Sequence, residues 1–309
     1  MYLEKRIKGK TTKYYLVHSY RDKNNKVIKI RRYLGSNLKK TELEKLKQRA
    51  KSIINEQIKN IKTDIFDFSL SPREIESINK YDNKLKIQHL NKEEWNQFTE
   101  DFVYNTNAIE GSTILKNEVH NILNKTKFLN SEEIETKGVA NAIKFIKNTK
   151  QDISINLLKK IHKLCFNGSK QFAGKIRNVE VVIKNAKGKI IHQGTPVKEL
   201  EKELNEFIKW YQKNKKKFKP LILTAIMHNQ FEDIHPFQDG NGRVGRLLLN
   251  FILIKNKYPP INILLEDRTE YYKILQLYSK ENKIKPTLTY LIKQYKKTLK
   301  QAATKITKK

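Results

Sequence analysis

"HPFQDGNGRVGR", residues 235–246, sets a histidine, an acid, an asparagine, two arginines and three glycines directly ahead of the apolar run LLLNFILI. Glycine is scarce in the chain, 11 in 309 residues, so three within six positions mark a stretch where the backbone must approach something closely. Upstream, TAIMHNQFEDI places Ala225, Ile226, Phe231 and Ile234 in the pattern of a buried helix. Pro236 ends that helix, because the residue before a proline is pushed out of the helical region. GRVGRLLLNFILI then begins a second helix, so Gly240, Asn241 and Gly242 fall at a helix N-terminus. Converging N–H groups and the partial positive charge there make an anion site.

The neighbouring side chains extend that reading. Arg243 and Arg246 lie one turn apart on one helix face and can make charge-assisted, bidentate bonds to more than one phosphate. Asp239 would be repelled by phosphates unless a cation lay between, and Mg²⁺ takes one or two carboxylates together with phosphate oxygens. His235, neutral near physiological pH, is suited to remove a proton from an incoming hydroxyl. Base, metal ligand and polyphosphate cradle together point to phosphoryl or nucleotidyl transfer. An ordinary turn with solvated arginines would explain Gly-Asn-Gly alone, but not the whole arrangement. The GK[ST] of a P-loop, a preceding strand for a dinucleotide fold, and HExxH or cysteine-rich zinc patterns are all missing.

The stretch resembles the motif of the Fic (Fido-fold) family, H-x-F-x-[DE]-G-N-G-R-x-x-R, at every specified position. Supporting similarity runs over roughly 65–295: FAGKIRNVEVVIKN resembles the β-hairpin flap before the motif, and EDRTEYYKIL a helix start after it. The resemblance implies a mainly α fold, a helical domain with a β-hairpin flap, and transfer of AMP from ATP to a Ser, Thr or Tyr hydroxyl of a protein. It implies His235 as the base, Phe237 as the anchor of the loop in the core, and Asp239 as the Mg²⁺ ligand. It also implies Gly240, Asn241 and Gly242 as the anion hole, with Asn241 at the α-phosphate, Arg243 at the β-phosphate and Arg246 at the γ-phosphate. Tyr271 and Tyr272 are expected along the nucleoside pocket, and Val179, Val181, Ile183, Ile190 and His192 on the flap that docks the target.

TNAIEGS, residues 106–112, resembles the family's inhibitory motif [ST]-x-x-x-E-[GN] through Thr106, Glu110 and Gly111. A glutamate paired with Arg246 would occupy the γ-phosphate's partner. A helix ending at Gly111 with a solvated Glu110 is the plainer reading of the same residues, and both can hold.

The remainder of the chain is less specific. Lys and Arg number 64 against 32 acids, a net charge of +32, which attracts nucleic acid, nucleotides or acidic proteins but also fits a chain-wide lysine bias. Residues 1–36 suggest a small β-hairpin, KYYLVHSY and VIKIRRYLG, packing on a helix at 40–60 opened by Thr41 with Glu44 at capping-box spacing. Its basic face and tyrosines could contact nucleic acid or be a solvated strand surface.

Three segments are expected: a basic accessory module at 1–61, a Fic domain at 62–300 and a basic tail at 301–309. Helices are expected at 92–106, 114–124, 131–149, 154–166, 197–214, 220–231, 242–257, 268–280 and 286–300, and from Ser71-Pro72. The lone Cys165 excludes a disulfide framework or cysteine zinc site, and His162 and His120 are expected to fill or rim the core. With no signal-like run and no stretch long enough to span a bilayer, the protein is expected to be soluble and cytoplasmic, with no membrane partner; a homodimer is one expected assembly. Two other functions compete: a nucleic-acid-associated regulator working through residues 1–60, and a Fic enzyme using a different nucleotide donor, since the cradle reads phosphates and not the base.

Overall fold

A computed structural model describes residues 1–9, 11–21, 27–63, 76, 79–80, 89–184, 188, 190–281 and 284–306. The chain divides into two compact units, Met1–Glu74 and Ile75–Lys309. The helix start expected at Ser71-Pro72 lies outside the described residues.

The first unit is a three-stranded antiparallel sheet, β1 (Tyr2–Lys8), β2 (Thr11–Arg21) and β3 (Val27–Ser36), with α1 (Lys40–Thr63) on one face. The sequence suggested only the β2–β3 hairpin. β1 was missed because YLEKRIK alternates weakly and carries four charges in seven residues. Leu16, Leu34, Ala50 and Ile54 form the small core, closed by Leu3, Tyr14, Ile30, Leu43 and Leu46. The expected cap at Thr41 is not formed: α1 already begins at Lys40, and Glu44 pairs instead with Lys47 at 3.1 Å. The chain is turned before the helix by Asn37, at φ 52°, whose side chain accepts from the Thr12 N–H at 2.8 Å.

The second unit is helical apart from one short hairpin: α2 (Lys92–Ile109), α3 (Val119–Asn124), α4 (Ser131–Asn148), α5 (Ile155–Phe166), β4 (Val182–Lys184), β5 (Ile190–Gln193), α6 (Val197–Asn214), α7 (Pro220–Ile234), α8 (Asn241–Lys255), α9 (Arg268–Glu281) and α10 (Lys285–Ile306). Side-chain caps open three of these. Asn91 and Glu94 make a reciprocal capping box on α2, Asn130 accepts from Glu133 N–H on α4, and Ser154 from Leu157 N–H on α5.

α7 and α8 are buried nearly all round, the mark of helices at the centre of a domain. α4 and α5 lie close together, and Gly138 permits it: a Cβ there would stand 2.4 Å from the Cys165 carbonyl oxygen. Three expectations shift. The segment 114–118 is turn rather than helix, with Glu118 accepting from Leu115 N–H at 2.7 Å. His120 is on the surface, bonded to Glu100, while His162 is buried as expected. The terminal helix α10 continues to Ile306, past the expected start of the tail.

Candidate active site

α7 stops at Ile234, and His235 caps it in the left-handed region, φ 54°. For a residue with a Cβ this costs about 1–2 kcal/mol, so something must hold it. Buried Arg177 does so from the base of the hairpin. Its Nε donates to the His235 carbonyl at 2.7 Å, Nη1 to that of Val179 at 2.9 Å, and Nη2 to those of Thr195 and Ile234. The Arg177 N–H adds a bond to the Pro236 carbonyl at 3.1 Å. The His235 Nδ1–H donates to the Glu232 carbonyl at 3.2 Å, which leaves the Nε2 lone pair to act as a base. Burial pulls the ring's pKa down to about 4, so it is neutral at pH 7.

The loop between the two helices is closed from beneath. Phe237 is fully buried, stacked on His162 with ring centres 4.0 Å apart. The Gly174 N–H donates to His162 Nδ1 at 2.7 Å, so His162 Nε2–H donates to the Asp239 carbonyl at 3.1 Å. The Asn241 side chain accepts from the Phe237 N–H at 2.8 Å and donates to its carbonyl at 2.7 Å. Its amide thus ties the loop shut, and what it offers an anion is its backbone N–H in the first helical turn, where no intrahelical acceptor exists.

Gly240 caps α8 at φ 79°. A Cβ at Gly240 would meet the Phe166 ring at 2.3 Å. Gly240→Ala is therefore expected to destabilise the second unit by about 2–4 kcal/mol, through left-handed strain plus overpacking. A chemical denaturation midpoint equal to wild type would contradict this.

Above the loop, α2 ends at Ile109, Glu110 is its C-cap, and Gly111 turns the chain at φ 96°. Glu110 is not merely solvated. Its Oε1 accepts from Arg246 Nη2 at 2.7 Å. Arg246, 1% exposed, also donates from Nε to Thr106 Oγ1 at 2.7 Å and from Nη2 to the Thr106 carbonyl at 3.0 Å. Burial opposes the guanidinium's charge, but Glu110 outweighs it and holds the Arg246 pKa above its usual value. A Cβ on Gly242 would stand 2.3 Å from Glu110 Oε1, so the carboxylate rests against the N-terminus of α8.

These groups wall a cavity of about 620 Å³, within the range of small-molecule sites. Glu110, His192, His235, Asp239, Gly240, Asn241, Gly242, Arg246, Tyr271 and Tyr272 all line it, as does Ile183. Asp239 accepts from the Gly240 N–H at 2.7 Å through Oδ1, while Oδ2 lies 3.4 Å from Lys170 Nζ. The Tyr271 hydroxyl donates to His228 Nε2 at 3.0 Å, whose Nδ1–H bonds the Gly245 carbonyl. The Tyr272 hydroxyl donates to the Ile109 carbonyl at 3.2 Å. Burial pushes the Tyr272 phenol up to about 12 and raises that of Tyr271 as well, so neither ionises near neutrality.

Other expected residues lie elsewhere. Arg243 is not on the cavity wall but beneath the loop, paired with Glu135 at 2.5 Å and lying 4.3 Å over the Phe166 ring. Thr106 and Gly111 stand behind the wall, the first gripping Arg246 and the second turning the chain. The strands are shorter than expected: Val179 and Val181 precede β4, the first with its carbonyl taken by Arg177 and the second still bonded across the hairpin to Gly194 N–H. Ile190 faces solvent at 51% exposure, while His192 bonds the Asp233 carbonyl and stands 6.0 Å, ring to ring, from His235.

Residues that sequence reasoning missed include Arg177, Glu135, Lys170 and Glu232. Burial raises the Glu232 carboxyl to about 8, and Gly245 is a glycine because a Cβ there would meet its Oε1 at 2.1 Å.

Three buried imidazoles give the second unit a pH dependence. Burial lowers His162 and His235 to about 4 and His228 to about 3. Unfolded histidine binds a proton near 6.5, so stability is full above that pH and falls as pH drops towards 4. Each histidine contributes up to about 1.4 kcal/mol per pH unit, and Glu232, with its raised pKa, cancels one of the three. The denaturation midpoint is thus expected to fall between pH 7 and pH 5, and less steeply in His228→Gln. A flat profile would contradict the burial of these rings.

Comparison with known proteins gives the family that this region resembles. Residues 152–253 match the Fic/DOC family. The chain is 28% identical over 207 residues to a protein adenylyltransferase Fic of Nematostella vectensis, covering 64% of this chain and 47% of that protein. It is 30% identical over 205 residues to protein adenylyltransferase fic-1 of Caenorhabditis briggsae, covering 62% and 39%. The chain thus spans less than half the length of these relatives. Among solved structures, a Fic domain containing signaling protein of Bacteroides thetaiotaomicron superposes with TM-score 0.62 at 22% identity, covering 75% of this chain and 96% of that one. Fic-1 of C. elegans superposes with TM-score 0.61 at 23% identity, covering 88% and 79%. The mainly helical architecture with its short hairpin is therefore the Fic fold.

Proposed function

We propose that this chain, which carries a Fic/DOC domain at residues 152–253, is a protein adenylyltransferase that moves AMP from ATP to a protein hydroxyl and is held back by its own Glu110. The observation that carries the reading is the Glu110–Arg246 pair of 2.7 Å lying over the N-terminus of α8, in one cavity with the free Nε2 of His235. A carboxylate there occupies the place an anionic ligand would take.

In the transfer, His235 Nε2 takes the proton of the target hydroxyl, and the oxygen attacks the α-phosphorus. The bond from that phosphorus to the bridging oxygen breaks, and pyrophosphate leaves. The backbone N–H groups at Asn241 and Gly242 and the Arg246 guanidinium supply fixed positive charge where negative charge develops. Asp239 fits Mg²⁺: its half-exposed carboxylate faces the cavity, and its only cationic neighbour among the described residues is Lys170, at 3.4 Å. One carboxylate suffices for Mg²⁺ that also takes phosphate oxygens, and the ion would neutralise charge on the triphosphate. Arg243, paired with Glu135, acts from beneath the loop rather than on a phosphate. The short hairpin, with Val182, Ile183 and Ile190 exposed, offers an edge to which an extended target segment can add as a strand.

Mass spectrometry of Glu110→Gly after incubation with a nucleotide mixture and Mg²⁺ tests the reading. A nucleoside monophosphate added to a Ser, Thr or Tyr of the chain itself or an added protein is expected, with AMP the largest share. No adduct from any nucleotide would sink the proposal. A larger adduct from UTP or GTP would favour the second reading, a different donor on the same phosphate cradle.

A further inference from the structure

None of the residues that carry the transfer chemistry lies in Met1–Glu74, and that unit has a surface of its own. α1 covers one face of the sheet, through Leu3, Tyr14, Leu16, Ile30 and Leu34. The strand register assigns the opposite face. Arg6 pairs with Lys13, Glu4 with Tyr15, Tyr15 with Tyr33, Val17 with Arg31, and Ser19 with Lys29. Four cations and one acid thus share a face with three tyrosines around the fully buried Val17, and Tyr2 is 47% and Tyr33 54% exposed at its margins. Arg6 lies 5.2 Å over the Tyr15 ring, and Tyr15 packs on Tyr33 at 5.2 Å. Residues 1–36 as a whole hold eleven Lys and Arg against Glu4 and Asp22.

Directly opposed like charges destabilise a sheet, so Arg6 across from Lys13 is a cost that Glu4 offsets for Arg6 but not for Lys13. The only acid on the described face, Glu4, is shared by Arg6 at 2.6 Å and Arg31 at 3.1 Å, leaving Lys13 and Lys29 at opposite ends. The dimensions select a ligand. Strands about 4.8 Å apart make a three-stranded sheet about 10 Å across, and the seven residues of β2 from Lys13 to Ser19 span about 20 Å. The major groove of B-DNA is about 12 Å wide and admits a two-stranded β-ribbon such as β2–β3, which carries Lys13, Lys29 and Arg31, and 20 Å of its axis is about six base pairs. The major groove of A-form RNA is too deep and narrow for side chains to read.

We infer that this sheet face is a docking surface for duplex DNA. Lys13 and Lys29 meet phosphates, and Arg31, aimed by Glu4, is the group with base-edge chemistry. The face is built on the first unit alone and does not depend on the proposed transfer activity.

The test is fluorescence anisotropy of the full chain on a DNA duplex of about 20 base pairs, titrated with salt. The whole chain is basic, so the control must match charge. K13Q/K29Q/R31Q is compared with K198Q/K202Q/K213Q on α6, whose lysines are also exposed. The sheet variant is expected to bind at least tenfold more weakly at about 100 mM salt, with the slope of log K against log salt reduced by about 1.8, or 0.9 for each of the two phosphates that Lys13 and Lys29 no longer neutralise. The α6 variant is expected to bind as wild type. The charge-preserving K13R/K29R/R31K is expected to retain binding, separating loss of charge from loss of fold. Equal losses in the sheet and α6 variants, no binding by wild type, or equal affinity for an RNA duplex would each overturn the inference.

Discussion

Glu110→Gly is expected to raise transfer by about tenfold to a hundredfold. The carboxylate it removes takes a charge-assisted hydrogen bond from Arg246 Nη2 at 2.7 Å. Such a bond contributes about 1.5–3 kcal/mol, and a terminal phosphate can make it only once the carboxylate is gone. The vacated space also exposes the N-terminus of α8 at Gly242, against which Glu110 rests. The substitution carries a penalty that makes the account testable twice over. Arg246 is almost wholly buried, and removing its partner leaves a charge held by no carboxylate hydrogen bond, only by Thr106 and the Tyr271 ring 5.8 Å away. The nucleotide-free variant is therefore expected to melt below wild type, and ATP with Mg²⁺ to restore it by more than they stabilise wild type. Equal labelling by the two proteins, with equal thermal shifts, would show that Glu110 restrains nothing.

Replacing His235 is expected to have the opposite effect, a loss of about 10²–10⁴-fold in either background, the range for one general base. Alanine is a poor probe by itself, because position 235 sits at φ 54°, where a Cβ is strained. Asparagine tolerates that conformation and has no basic nitrogen, so His235→Asn separates backbone from chemistry. In the Glu110→Gly background it is expected to bind ATP with unchanged affinity, since no phosphate ligand is removed, and yet to transfer nothing measurable. Loss of ATP binding together with activity would mean that His235 shapes the cradle rather than acting as the base. An active His235→Asn would remove it from the mechanism.

Much of this site was legible because its chemistry is contiguous. Pro236 and the glycines at 240 and 242 force a break between two apolar helices, and the residues within that break are the loop itself. Glu110 was legible only by resemblance, since nothing in TNAIEGS says that it reaches an arginine 136 residues away. Arg177 and Glu135 were not legible at all. Their partners are backbone carbonyls and Arg243, brought to them by tertiary packing, and an isolated Arg or Glu in a chain with 31% charged residues carries no signal. For the same reason Arg243 was read as a phosphate ligand: helical spacing puts it one turn from Arg246 but does not reveal that α4 offers Glu135. β1 escaped because strand recognition leans on apolar alternation, and here the outer face is charged.

The central claim, that the loop between α7 and α8 presents the α-phosphorus of a nucleoside triphosphate to a hydroxyl under His235, is tested most directly by the position of a radiolabel. Glu110→Gly is incubated with Mg²⁺ and ATP labelled at either the α- or the γ-phosphate. The account predicts that the α-label becomes covalently bound to protein, that the γ-label leaves as pyrophosphate, and that His235→Asn retains neither. Retention of the γ-label, or of both labels, would contradict it.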